Sequence, residues 1–326
     1  MRGGALDISE LLTHSDQEDL ARCTALARSH YENFRIGSLL LPRRSRSALA
    51  AIYAVVRIAD DIADEDRDEA SPEQRAEAIR NWEAELLLAV EGKTVSHWAL
   101  RACGGAIRRH DLDIDCFRRL FRAFLCDTHK TRYDSFEDLL AYCEDSANPV
   151  GRLVIQLLDP DVLADAAARE ASDAICTGLQ LVNHWQDVRE DADRGRIYLP
   201  QSDLQRFGVD ESSLLRGEDS PEFRALMAFE VSRARALLDR GDELLGKSHG
   251  RLRFETALFR RAGLAACSAL ERTRYDVMHG PAHLGKSDRA RIVLWSIKDA
   301  LGAKARARAH ARGLPSAPSP TPPEAS

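Results

Sequence analysis

The chain has 326 residues, 44% of them hydrophobic and 30% charged, a globular balance with ample length to bury a core. Its 46 Lys and Arg against 52 Asp and Glu leave a net charge of −6, which argues against nucleic acid as the main partner, because that needs a basic face. An anionic substrate stays open, since a bound metal inverts local charge. Cys23, Cys103, Cys116, Cys126, Cys143, Cys176 and Cys267 are odd in number and form no C-x-x-C pair. With no signal peptide evident, they read as reduced thiols of a cytoplasmic protein. No apolar run approaches the roughly 18 residues of a membrane span.

The pattern is helical nearly throughout, rich in Ala, Leu, Arg and Glu, without strand-like alternation. Residues 1–14 read as loosely held. A first helix is expected from about Asp16 to Ser29, and residues 30–42, HYENFRIGSLLLP, form a corner. The next helix, from about Ser45 to Glu65, carries Asp60 and Asp64 near its end, behind an apolar face of Leu49, Ile52, Val56 and Ile62. Ser71-Pro72-Glu73-Gln74 reads as a capping box that opens a helix over about 72–91. Helices follow at about 95–109 and 113–127; in the former, Gly104 and Gly105 suggest close helix packing. Ser135 caps the next helical pattern, in which Pro149 demands a kink or a break near Ser146. Such a break either lines a cavity or only separates two helices. A helix over about 171–191 carries Asp187 and Asp191, and Gly195 fits its C′ position. A loop containing QRFGVDES follows, then helices at about 221–246, 253–279 and 286–311. From Gly313 the Pro/Ser-rich tail is expected to be disordered. The domain expectation is a single one over 1–312, with the tail at 313–326.

The two acidic pairs are the candidates for chemistry. Carboxylates four apart on a helix lie on one face, about 6 Å apart along the axis, and repel each other without a cation. Mg²⁺ takes carboxylate, water and phosphate oxygens, so each pair could hold it and leave room for a diphosphate. Two such helices facing each other would clamp a leaving group, the metal neutralising the charge that develops. Taken alone, either run reads first as a solvated helix face. Two features weigh against that. Asp60 and Asp64 follow a segment, Ala50 to Ala59, with no other acid. Asp187 and Asp191 share a side with Asn183 and Gln180 on a helix that otherwise reads as core, and polar groups on a core stripe need partners. Arg57 either binds phosphate or pairs with an Asp. Tyr53 reads as core or as a cavity edge, and His184, one position off the Asn183 face, as packing.

Taken together, DDIADE at 60–65 and NHWQDVREDADRGRIYLP at 183–200 resemble the squalene and phytoene synthases, the head-to-head isoprenyl diphosphate synthases. The likeness covers roughly residues 25–280. It implies an all-α isoprenoid-synthase bundle around a central cavity, with several Mg²⁺ ions held by Asp60, Asp64, Asp187 and Asp191. It implies that Asn183 and Gln180 are polar cavity residues, and that Tyr53, Arg57, Tyr198 and Arg196 serve substrate or diphosphate. Two segments, ENF at 32–34 (with Phe34) followed by SLLLP, and YCEDSANPVGRL at 142–153 (with Tyr142 and Asn148), resemble the bacterial hydroxysqualene synthases of hopanoid biosynthesis. That branch ionises presqualene diphosphate, rearranges the cation and lets water capture it, without NADPH; Asn148 is the candidate for placing the water. The resemblance leaves two further readings open: condensation of two prenyl diphosphates to presqualene diphosphate, squalene or phytoene, and a non-catalytic helical adaptor. Upstream and downstream squalene-pathway enzymes are implied as partners. One departure is that His279 and Gly280 follow Met278, where the family often has basic residues, so a diphosphate contact is either missing or supplied by Lys286 or Arg289. Lys304, Arg306, Arg308 and Arg312 read as a solvated helix end or as an attraction for anionic lipid at the inner face of a membrane.

Overall fold

The computed structural model describes residues 14–30, 43–64, 70–280, 282 and 284–311. Phe34 and its ENF and SLLLP segments, the first thirteen residues and the Pro/Ser tail lie outside the described residues, as do the side chains of Arg306, Arg308 and Arg312.

The helices run in the order α1 His14–His30, α2 Arg43–Ala63, α3 Pro72–Val90, α4 Trp98–His110, α5 Ile114–Asp127, α6 Phe136–Ser146, α7 Asn148–Leu158, α8 Ala166–Gln186 and α9 Val188–Asp193. After them come α10 Gln201–Phe207, α11 Glu211–Leu215, α12 Pro221–Arg240, α13 Asp242–Lys247, α14 Gly250–Arg272 and α15 Lys286–Ala311. Among the described residues, extended pairing is limited to one isolated bridge, Arg132 to Ile197.

Local chemistry explains most boundaries. Ser71 Oγ accepts from the Gln74 N–H while the Gln74 side chain accepts from the Ser71 N–H at 2.8 Å, so the capping box forms. Ser135 Oγ accepts from the Asp138 N–H and starts α6. Pro149 resolves as a break: α6 stops at Ser146, Ala147 has non-helical backbone angles, and α7 begins at Asn148 with the proline in its first turn. Four expectations shift. The helix expected over 171–191 begins at Ala166 and is interrupted at Asp187, whose short polar side chain suits a joint. The helix expected over 221–246 divides at Gly241, where a Cβ would stand 2.6 Å from Ile175 Cγ1, so the Gly241 backbone packs directly on the Ile175 side chain. The stretch expected as a loop after Pro200 folds into the short helices α10 and α11. The helix expected to reach 279 ends at Arg272, before a turn with Arg274 and Tyr275 at positive φ.

Two apolar clusters fill the bundle. The N-terminal one joins α1 to α5 through Cys23, Ile52, Ile79, Leu86, Leu100 and Phe121. The C-terminal one joins α8, α12 and α14 through Leu181, Trp185, Leu226, Leu238 and Leu270. They meet on α7, whose Leu153 belongs to the first and Ile155 to the second. Each fully buried side chain of this kind contributes about 1.5–3 kcal/mol. The expected packing at Gly104 is observed, since a Cβ there would stand 2.7 Å from the Ala89 backbone. All seven cysteines are free, and burial pushes the thiols of Cys23 and Cys143 up to about 12. The two acidic motifs sit on opposite clusters, one on α2 and the other at the α8–α9 joint.

Candidate functional site

The first pair closes α2. Asp64 donates its N–H to the Asp60 carbonyl at 3.1 Å, completing the last turn. This is the negative end of the helix dipole, and the last turn carries no basic residue. Carboxylates there are disfavoured by about 0.3–1 kcal/mol each. Burial, then the charge of Asp64, pushes the Asp60 carboxyl up to about 6. Arg57 offsets part of this by donating to Asp60 Oδ2 at 3.1 Å and pairing with Asp61 at 2.6 Å. Arg57 therefore forms the ion pair that its position allowed, with Tyr53 one turn before it on the same helix; burial raises the Tyr53 phenol.

The second pair straddles the joint between α8 and α9. The backbone carries the helical pattern across it, with Asp187 N–H donating to the Asn183 carbonyl at 3.0 Å and Asp191 N–H to the Asp187 carbonyl at 2.8 Å. Burial, then the charge of Asp187, pushes Asp191 up to about 7. Asn183 and Asp187 are exposed, so the stripe expected to face the core opens on solvent. Gln180 is partly buried, with its amide nitrogen 3.3 Å from His184 Nε2. His184 itself is buried, and desolvation pushes it down to about 3, so it is neutral.

The GRIYLP segment brings the two halves together. Gly195, at φ 73°, takes the left-handed conformation that ends α9. The chain then turns beside residues 131–134, with Ile197 N–H donating to the Thr131 carbonyl at 3.0 Å and Gln201 N–H to the Tyr133 carbonyl at 2.9 Å. Successive side chains of an extended segment alternate. Ile197 is buried, while Arg196 reaches α2 and donates to Asp64 Oδ1 at 3.3 Å. Tyr198 stacks on His184 with ring centroids 3.6 Å apart, and on Tyr133 at 5.5 Å. His184, Asp191, Arg196 and Tyr198 line one small pocket.

Asp127, the last residue of α5, joins the same group, although the motifs gave no hint of it. Tyr142 donates its hydroxyl to Asp127 Oδ2 at 3.0 Å. The other oxygen, Oδ1, is buried without a hydrogen-bond partner among the described residues. Burial pushes Asp127 up to about 7, and it feels the charges of Arg196, Asp60 and Asp64. The available signal was an acid ending the apolar stripe of Phe117, Leu120 and Phe124, the same logic that singled out Asp60. Asn148 lies apart from this cluster. It is buried, and its Oδ1 accepts from the Thr177 hydroxyl at 2.9 Å, which ties the start of α7 to α8 one turn before Gln180.

Against a metal, the donor set is consistent: carboxylate oxygens only, the choice of a hard divalent cation such as Mg²⁺. Asp60 and Asp191 are raised by burial and then each by the acid of its own motif, Asp64 and Asp187, which is the electrostatic state a cation relieves. Among the described residues, the acid and histidine groups whose ligand atoms gather within 4.8 Å are Asp219, Asp276 and His279 instead. That set is partly neutralised by Arg224, which pairs with both Asp219 and Asp276. His279, at the departure noted in the sequence, turns its Nδ1 to Asp276 at 3.0 Å.

Comparison with known proteins decides the family. The squalene/phytoene synthase profile matches residues 27–295. The chain belongs to the squalene/phytoene synthase family. It is 32% identical to a phytoene synthase of Thermus thermophilus over 282 residues, covering 86% of this chain and 92% of that protein. It is 33% identical to a hydroxysqualene synthase of Sinorhizobium fredii over 232 residues, covering 70% and 75%. Among solved structures, the squalene synthase HpnC of Alicyclobacillus acidocaldarius superposes with a TM-score of 0.74 at 36% identity, over 83% of this chain and 99% of that one. The all-α isoprenoid-synthase bundle expected from the motifs is thus the fold, and members of the family process prenyl diphosphates.

Proposed function

We propose that this family member is a hydroxysqualene synthase acting in squalene and hopanoid formation in the cytoplasm. It would ionise presqualene diphosphate, rearrange the resulting cation and let water capture it, releasing hydroxysqualene and diphosphate without NADPH. The observation that carries the ionising role is the contact between the motifs: Arg196 of the second donates to Asp64 of the first. Asp60, Asp64, Asp187 and Asp191 would hold Mg²⁺, which supplies neutralisation of the charge developing on the departing diphosphate. Arg57 and Arg196 present planar guanidinium forks suited to phosphate oxygens once they leave their carboxylate partners. The rings of Tyr142, Tyr198 and neutral His184 offer polarisable faces that tolerate a carbocation and add no positive charge beside it.

The choice of water capture rests on the helix break at Ala147–Pro149, the SANPVGR resemblance, and the hydroxysqualene synthase and HpnC relatives. Asn148, oriented by Thr177, would help to place the water or the backbone facing the cation. Asn148→Ala should then slow alcohol formation or shift product away from it; an unchanged rate and product ratio leaves Asn148 as a cap of the break. The phytoene synthase relatives favour a second reading, condensation of two prenyl diphosphates. Separate incubations with farnesyl, geranylgeranyl and presqualene diphosphates, with Mg²⁺ and no NADPH, distinguish the two. Consumption of presqualene diphosphate alone supports the proposal, consumption of the shorter substrates supports condensation, and no diphosphate release in any of them supports a non-catalytic adaptor.

A further inference from the structure

The outward face of α15 is apolar where a surface helix is ordinarily polar. Leu294, Ile297 and Leu301 are 66%, 45% and 61% exposed. Their spacing of three and four residues places them on one stripe, opposite the buried Ile292, Ser296, Asp299 and Ala303. Charge on this helix is sorted by side. Both of its acids point inward: Asp288 is buried and paired with Arg272 at 3.0 Å, and Asp299 is buried against Arg261 at 2.8 Å. The cations Arg289, Arg291, Lys298 and Lys304 are exposed. Lys298 flanks the stripe on one side, next to Arg291, which pairs with Asp288 at 2.7 Å, and Lys304 flanks it on the other, by their helical positions. The sequence beyond Lys304 adds Arg306, Arg308 and Arg312, with no acid before Glu324.

An apolar stripe with a cationic border and its acids turned inward fits a surface that is negatively charged outside and apolar beneath. We propose that this face of α15 docks on an anionic lipid bilayer, the helix lying in the plane of the headgroups with Leu294, Ile297 and Leu301 entering the acyl boundary. Ile297, Lys298, Leu301 and Lys304 lie beyond residue 295, where the match to the family profile ends. The inference does not depend on which prenyl diphosphate the enzyme uses.

Flotation of the full chain with phosphatidylcholine vesicles, and with vesicles containing about one third phosphatidylglycerol, tests it at low and high salt. The protein should float with the anionic vesicles, release as salt shortens the screening length, and float poorly with neutral ones. Leu294→Ser/Ile297→Ser/Leu301→Ser and, separately, Lys298→Glu/Lys304→Glu should each weaken the anionic-vesicle affinity at least about tenfold, with unchanged thermal melting because all five positions are exposed. Flotation of both variants like the parent overturns the proposal, as does a parent that floats with neither vesicle. Sedimentation supplies a further outcome against it: if the parent self-associates and the serine variant is monomeric while neither binds vesicles, the stripe is an interface between copies of this chain.

Discussion

Replacing Asp127 by Asn isolates one consequence of the site's electrostatics. Burial raises the Asp127 carboxyl from its ordinary 3.8 to about 7. An acid with a raised folded-state value holds its proton more tightly folded than unfolded. Its contribution to stability is therefore greatest below about pH 4 and falls as pH rises toward 7. At 1.36 kcal/mol per unit, the full penalty for carrying the charge into the fold is about 4 kcal/mol. Between pH 5 and pH 8.5 it grows by about 2–3 kcal/mol. Asn keeps an oxygen for the Tyr142 hydroxyl but carries no charge. In EDTA, where no divalent ion neutralises the neighbouring carboxylates, the stability of Asp127→Asn relative to the parent should rise by about 2–3 kcal/mol between pH 5 and pH 8.5. Urea unfolding at the two pH values measures this directly. A stability difference that does not change with pH, or a variant less stable than the parent at pH 8.5, would show that Asp127 is not carried as a charge into a buried site.

Arg196→Ala should lower kcat/KM about 10–1,000-fold by removing the cation at the junction of the two motifs, with Arg196→Lys restoring only part of it, because a lysine lacks the planar fork; steady-state diphosphate release reads both. Mg²⁺ at about 100 times its dissociation constant should stabilise the protein by about 2.7 kcal/mol in thermal melts. That gain should vanish in Asp60→Asn/Asp64→Asn; full retention would place the ion elsewhere. Gly104→Ala should cost about 1–3 kcal/mol, because its methyl would overlap the Ala89 backbone, and a melting temperature equal to the parent's would contradict that packing. Ser71→Ala, by removing the capping box, should cost about 1 kcal/mol without altering catalysis.

The helices, the capping box at Ser71 and the turn at Gly195 were legible because each depends on residues close in sequence. The acidic pairs were legible for the same reason: their spacing alone sets two carboxylates on one side. What escaped depends on partners distant in the chain. Asp127 joins the site because α5 ends beside Tyr142 and near Arg196; the apolar stripe that it ends marks it as an acid at a core edge but does not name those partners. Asn183 reads as core-facing by periodicity, yet it is exposed, since its neighbours Val182 and His184 take the buried positions. Arg57 had two readings, and it took both acids of the next turn, Asp60 and Asp61, as partners. The stripe of Leu294, Ile297 and Leu301 shows the limit most plainly. A helical apolar period ordinarily marks the face turned to the core, and only the fold reveals that α15 buries its opposite side.

The most direct test of the central claim is product analysis with presqualene diphosphate and Mg²⁺ in ¹⁸O-enriched water, without NADPH. Diphosphate release and a C30 alcohol carrying one ¹⁸O are expected, both abolished by Asp60→Asn and by Asp191→Asn. A product without the label, or turnover confined to farnesyl or geranylgeranyl diphosphate, would contradict it.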